Sequence, residues 1–173
     1  MHIRFAAPDW KSLDGLHSEA ILLPFFSDER PLTGALGLID WRMCGFVSRL
    51  IQRNVVRGRL GETVLVPLQR FASDKLFLFG LGPRAEFDPA LQESVIERML
   101  DVGLHARVRA MALCLPGRST QRVTASAAME SFVRATAKRR EPDEIVLIES
   151  PEAQKEMSPI LQRERRRASA TEH

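Results

Sequence analysis

The segment KLFLFGLGP, which runs from Lys75 to Pro83, decides the fold of this chain. Its first half is a short apolar run typical of a strand buried on both faces, and its glycines and proline indicate a turn that ends the strand. A helix is expected next, because Asp88 is a common N-cap residue and Pro89 suits the first helical turn. A buried strand that leads through a turn into a helix is the building unit of α/β domains.

Strands and helices alternate along the rest of the chain. Strands are predicted at His2–Ala6, Ala20–Pro24, Glu62–Val66, Leu76–Phe79, Val108–Leu115 and Ile145–Ile148. Helices are predicted at Leu38–Asn54 and from Asp88 to about His105. A third predicted helix is capped by Ser119 or Thr120 and runs to about Lys138. This order predicts a three-layer α/β/α domain with a mixed, largely parallel central sheet of about six strands.

Composition agrees with one globular domain that lacks membrane segments. The chain has 173 residues, of which 45% are hydrophobic and 27% are charged. No apolar stretch approaches the length of a bilayer span and no signal segment opens the chain, so we expect a cytoplasmic protein. The two cysteines, Cys44 and Cys114, sit among apolar residues and do not form a disulfide framework.

The domain is predicted to occupy residues 1–150, and residues 151–173 to form a charged, solvated tail, with a short helix interrupted at Pro159 as the alternative. This tail is densely charged, carries a net +1 of the chain's +3 and contains little hydrophobicity. Its basic cluster consists of Arg163, Arg165, Arg166 and Arg167. Such a cluster can contact nucleic-acid phosphates, but Glu164 interrupts it and no aromatic residue accompanies it, so a solvated tail is the simpler interpretation.

Two segments are candidates for a ligand site. Glycines in the turn at residues 80–82 allow backbone amides to approach an anion, although the turn lacks the third glycine of a dinucleotide fingerprint and the Lys of a P-loop. The loop from Phe25 to Gly37 follows a strand at the edge where α/β sheets bind ligands. The candidate ligand-binding residues are Asp28, Arg30, Gly34, Gly37, Gly80 and Gly82.

Catalytic and metal-binding patterns are absent from the sequence. The histidines are far apart, none lies at ligand spacing from a Cys or a carboxylate, and no Ser sits in a Gly-x-Ser-x-Gly elbow. We therefore expect no catalytic residue, no metal and no cofactor.

Three segments resemble the N-terminal domain of the leucyl aminopeptidase family: Ile21–Pro24, Gly37–Leu50 and Leu76–Gly82. The resemblance covers about residues 1–150 and implies a macro-domain-like fold. In that family a separate C-terminal domain supplies Lys, Asp and Glu ligands to two metal ions. Its signature segment, Asn-Thr-Asp-Ala-Glu-Gly-Arg, is not found here, so the resemblance implies no peptidase residue and no peptidase activity.

The resemblance implies a stand-alone, non-catalytic domain that works in protein–protein association, by self-association or by docking onto a separately encoded protein. A second hypothesis is a module that binds ADP-ribose or a related nucleotide, because macro domains use a loop after an early strand and a later glycine-rich loop. Here those loops are Phe25–Gly37 and Leu115–Thr120, the second with a single glycine. Nucleic-acid binding through the basic tail ranks third.

Overall fold

The computed structural model describes residues 1–69, 71–137 and 142–171. Its strands are β1 (His2–Ala6), β2 (Ala20–Phe25), β3 (Thr63–Pro67), β4 (Lys75–Gly80), β5 (Ala110–Leu113) and β6 (Glu144–Ile148). Its helices are α1 (Trp10–Asp14), α2 (Gly34–Arg42), α3 (Phe46–Gln52), α4 (Pro89–His105), α5 (Ala125–Ala137) and α6 (Pro151–Thr171), with a 3₁₀ turn at Arg84–Glu86.

The described strands form one sheet in the order β1-β6-β5-β2-β4-β3. All neighbouring strands are parallel except β3 and β4, which are antiparallel. Alternate residues of β2 face opposite layers: Ala20 and Leu22 pack with α4, α5 and α6, whereas Ile21 and Leu23 pack with α1, α2 and α3. The predicted three-layer fold with a mixed, largely parallel sheet is confirmed.

The predicted helix from Leu38 to Asn54 is two helices. Helix α2 ends at Arg42, and the left-handed backbone conformations of Cys44 and Gly45, with φ of 55° and 74°, separate it from α3. The buried carboxylate of Asp40 then accepts hydrogen bonds from Val47 N at 2.7 Å and from the hydroxyl of Ser48 at 2.5 Å, and so caps α3. A capping contact between two helices is not visible in an apolar periodicity.

Two other predicted boundaries are wrong. Helix α5 begins at Ala125 rather than beside Ser119 or Thr120, because the amide of Arg122 donates to Gly117 O at 2.8 Å and closes a turn first. Strand β5 is shorter than the predicted Val108–Leu115. Helix α1 was not predicted, and the predicted helix end at Lys138 lies outside the described residues.

The prediction of a solvated tail after residue 150 is wrong. Helix α6 runs from Pro151 to Thr171 and continues through Pro159. Its inward face is fully or almost fully buried in the core and consists of Ala153, Met157, Ile160 and Leu161. These positions follow helical spacing, but charged residues surround them and conceal the pattern in the composition.

In the described part of the chain, no helix combines the length and the apolar character that a bilayer span requires.

Candidate functional site

The loops that follow β2, β4, β5 and β6 meet at one edge of the sheet, because these strands are parallel and end at the same side. Open α/β sheets bind ligands at this edge. Both predicted ligand segments, Phe25–Gly37 and Gly80–Gly82, lie there.

The loop after β2 is organised around the buried carboxylate of Glu29. This carboxylate accepts hydrogen bonds from Phe26 N at 3.2 Å, from Thr33 N at 3.2 Å and from the Thr33 hydroxyl at 2.6 Å. A buried charge is tolerated when donors surround it in this way. The loop therefore has a fixed internal structure rather than an open arrangement of charges.

The predicted ligand residues of this loop have partners within the protein. Asp28 accepts a hydrogen bond from Arg84 N at 3.1 Å and forms an exposed ion pair with the Arg84 guanidinium. Desolvation acts to raise the pKa of Asp28, but the Arg84 contacts outweigh it, so this pKa lies below its ordinary value. Arg30 Nη1 donates to Glu29 O at 2.6 Å, and no carboxylate among the described residues pairs with Arg30.

The turn at residues 80–82 differs from the predicted phosphate cradle. Its three amides donate to backbone carbonyls: Gly80 N to Glu62 O at 2.9 Å, Leu81 N to Phe25 O at 3.0 Å and Gly82 N to Gly58 O at 2.8 Å. Amides that already donate in this way do not bind an anion in this conformation. The turn instead joins the segment before β3 to the sheet.

A groove of about 530 Å³ opens between the loop after β2, the turn after β4 and the segment that joins α3 to β3. Arg30, Arg57 and Arg59 line it together with Glu86, and we call it the arginine groove. Apolar side chains also line it, namely Ile51, Val56, Leu60, Leu81 and Leu91. A concave, partly apolar site with a few polar groups is the usual form of a small-molecule site.

The arginine groove contains only part of the predicted set. Arg30 and Gly82 line it, whereas Asp28 lies outside its lining and pairs with Arg84. Sequence reasoning missed Arg57 and Arg59. Their segment, RNVVRGR at residues 53–59, carries several arginines within a short span, which is a weak signal for a basic surface.

The loops after β2 and β5 approach each other at Gly34, where an added Cβ would lie 3.6 Å from Ser119 Cβ. Beside them Arg118 and Glu149 form a buried ion pair with an Nε–Oε1 distance of 2.7 Å. Arg118 Nη1 also donates to Val123 O at 2.7 Å. This charge pair occupies the space at the ends of β5 and β6, and it is held by a second hydrogen bond as buried pairs require.

The two cysteines differ in environment. Cys114 Sγ contacts Ile148 O at 3.6 Å, and burial of the sulfur followed by the negative charges of Glu149 and Glu29 raises the pKa of its thiol. Cys44 is exposed and has a left-handed backbone with φ of 55°. The Cys114 thiol is therefore protonated at neutral pH and is not an activated nucleophile.

An apolar surface lies on the opposite side of the α2–α3 turn from the core. Trp41 is 73% exposed, and two grooves of about 670 Å³ and 300 Å³ lie next to it, with Arg42 and Cys44 in both linings. The Trp41 ring contacts Trp10 with a centroid distance of 5.2 Å. We define the Trp41 surface by Trp41, Arg42, Met43, Cys44 and Phe46. The predicted ligand residue Gly37 lines the larger of its grooves.

The predicted nucleic-acid residues lie on α6. Arg165 donates to Ile3 O at 3.0 Å on the edge strand β1, and Arg167 pairs with Glu164 at 2.8 Å. Arg163 and Arg166 are exposed. Two of the four arginines thus have partners within the domain. Among the described residues, no group of three His, Cys, Asp or Glu side chains could hold a metal ion.

Comparisons with known proteins agree with this fold. No protein-family model matches the chain. A probable cytosol aminopeptidase of Sulfurihydrogenibium is 30% identical over 79 residues, which are 45% of this chain and 16% of that protein. A mutant tomato leucine aminopeptidase superposes with a TM-score of 0.57 and 16% identity, over 90% of this chain and 35% of that enzyme. A Trypanosoma brucei macrodomain in complex with ADP superposes with a TM-score of 0.69 and 14% identity, over 92% of this chain and 69% of that one.

The fold is therefore that of a macrodomain. Within this class, the resemblance to the macro-like N-terminal domain of leucyl aminopeptidases is confirmed, without a catalytic domain in the matched region. The chain spans about a sixth of the curated relative and about a third of the tomato enzyme.

Proposed function

We propose that this macro-like domain is a non-catalytic association module that pairs with a second copy of itself through the Trp41 surface. The observation that carries the proposal is the 73% exposure of Trp41, next to the half-exposed Phe46 and two grooves. Large apolar side chains grouped on one surface mark interaction sites, and tryptophan is enriched among the residues that dominate binding energy.

A second copy fits this surface because the exposed side chain of Trp41 and the larger groove lie side by side on it. A two-fold dimer brings the same surface of both copies face to face, so each contact occurs twice. The indole of Trp41 in one copy then enters the larger groove of the other copy. Arg42 is already held by Asp14 through a contact of 3.1 Å, and its guanidinium lies over the Trp10 ring with Cζ 5.7 Å from the ring centroid, so pairing leaves Arg42 with a partner.

Replacement of Trp41 by Ala is expected to weaken self-association by about 30-fold to 1,000-fold, because a central interface tryptophan contributes about 2–4 kcal/mol. Size-exclusion chromatography with light scattering, over a range of protein concentrations, measures the shift from dimer to monomer. Circular dichroism of the variant checks that the fold is retained after loss of the Trp10 contact.

Leu65→Ala is the matched control, because Leu65 is 55% exposed on β3 and lies outside the Trp41 surface. It removes an exposed apolar side chain and is expected to leave the dimer unchanged. A wild-type chain that stays monomeric at every concentration contradicts self-association, and a partner captured from lysate does not rescue the proposal.

Nucleotide binding is the second candidate function, with ADP-ribose or ADP as the ligand. It is supported by the shared fold with the ADP-bound macrodomain and by the arginine groove at the ligand-binding edge of the sheet. ADP-ribose at 100 times its dissociation constant is expected to stabilise the domain by about 2.7 kcal/mol. Thermal unfolding with and without the nucleotide measures this, with adenosine as the uncharged control, and an unchanged melting temperature argues against the candidate.

A further inference from the structure

The arginine groove holds three cations that have no ion-pair partner among the described residues. Several arginines elsewhere form ion pairs, as Arg109 does with Asp143 at 2.5 Å. Among the ion pairs of the described residues, none involves Arg30, Arg57 or Arg59. Three guanidinium groups and a single carboxylate, that of Glu86, line the groove, and this excess of positive charge favours an anion that enters from outside.

Two carboxylates of these segments, those of Glu62 and Glu29, accept hydrogen bonds from backbone amides. Glu62 accepts hydrogen bonds from Arg57 N at 3.0 Å, from Gly58 N and from Arg59 N at 3.3 Å. Glu29 is buried and accepts from the amides of its own loop. Both carboxylates therefore hold the backbone that carries the arginines and do not neutralise the side chains.

Backbone carbonyls orient two of the guanidinium groups. Arg57 Nε donates to Asn54 O at 3.1 Å, and Arg30 Nη1 donates to Glu29 O at 2.6 Å. Each guanidinium has five N–H donors, so most of its donors remain available after such a bond. Groups that are already held in place lose less conformational entropy when a ligand binds.

We propose that the arginine groove binds the phosphate or diphosphate group of a small molecule, whose apolar part packs on Leu81 and Leu91. Guanidinium groups bind phosphate oxygens in pairs of parallel hydrogen bonds. A phosphate or diphosphate group, which has several oxygens and more than one negative charge, therefore matches three arginines better than a monovalent anion does. Glu86 is the acidic residue of the lining, so the lining carries an excess of two positive charges. The volume of about 530 Å³ favours a small molecule over an extended nucleic acid.

This inference deepens the second candidate function, since it assigns a site and a ligand class, and it is independent of self-association. Isothermal titration calorimetry of the full chain with pyrophosphate, ADP and adenosine tests it. Arg57→Gln and Arg59→Gln are each expected to weaken the binding of pyrophosphate and ADP by about tenfold to a hundredfold, because each removes charge-assisted hydrogen bonds. Adenosine, which has no phosphate, is expected not to bind measurably.

Arg166→Gln is the matched control, because it removes the same charge from an exposed position on α6. Equal affinities for the wild type, the groove variants and this control overturn the assignment. If ADP-ribose stabilises the protein but Arg57→Gln has no effect, nucleotide binding stands and the groove is the wrong site. If pyrophosphate binds in an Arg57-dependent way but ADP-ribose does not, the groove stands and the nucleotide candidate fails. Binding of RNA or of acidic protein alone overturns the small-molecule class.

Discussion

A chain truncated after Ser150 is expected to lose its cooperative unfolding transition. The truncation removes α6 and with it Ala153, Met157, Ile160 and Leu161, all of which are buried in the core next to α5. It also removes the helix that packs against α5, whose Phe132 is fully buried in the intact domain. The loss of several large buried side chains, at about 2–5 kcal/mol each, approaches the whole stability of a domain, which is about 5–15 kcal/mol.

Point variants separate this packing role from a general effect of truncation. Met157→Ala is expected to lower the free energy of unfolding by about 2–5 kcal/mol, since Met157 is fully buried. Lys155→Ala, at an exposed position of the same helix, is expected to change it by less than about 0.5 kcal/mol. Urea titration followed by circular dichroism measures both. A truncated chain with the wild-type midpoint would mean that α6 does not belong to the core.

The same helix shows where sequence patterns stop being informative. Strands such as β2 and β4 were predicted because continuous apolar runs cannot be placed anywhere but the interior. In α6, the buried side chains at 153, 157, 160 and 161 are correctly spaced, but a low mean hydropathy and the arginines after Gln162 outweigh them. Composition therefore led to the wrong prediction of an exposed tail, although the spacing of the apolar residues fits one buried face of a helix.

The site was predicted less completely than the fold, for a reason that lies in tertiary contacts. The glycines of the 80–82 turn were predicted to let backbone amides approach an anion, but what lies against Gly80 is the backbone of Gly58 and Arg59. Arg57 and Arg59 reach the groove because that backbone is held there by Glu62 and by the turn. No local pattern specifies a contact between segments more than twenty residues apart.

Gly80→Ala is expected to destabilise the domain by about 3 kcal/mol or more, or to prevent folding. An added Cβ would lie 2.1 Å from Arg59 O and 2.5 Å from Gly58 C, and both are backbone atoms that a side-chain rotation cannot move away. To make room, the segment before β3 must leave the sheet. That movement breaks the hydrogen bonds from Gly80 N to Glu62 O and from Gly82 N to Gly58 O.

Gly15→Ala is the control that isolates this close approach, because its added Cβ would lie 3.4 Å from Lys11 O, at ordinary contact distance. It is expected to change the free energy of unfolding by less than about 0.5 kcal/mol. Differential scanning calorimetry measures the melting temperatures of both variants. Equal melting temperatures would mean that the backbone at Gly80 is not in contact with that of Gly58 and Arg59. Where Gly80→Ala still folds, the displaced segment carries Arg57 and Arg59 with it, so its affinity for pyrophosphate should fall together with its stability. Gly80, which was predicted to lie at a phosphate site, would then affect phosphate binding indirectly, because it determines the position of Arg57 and Arg59.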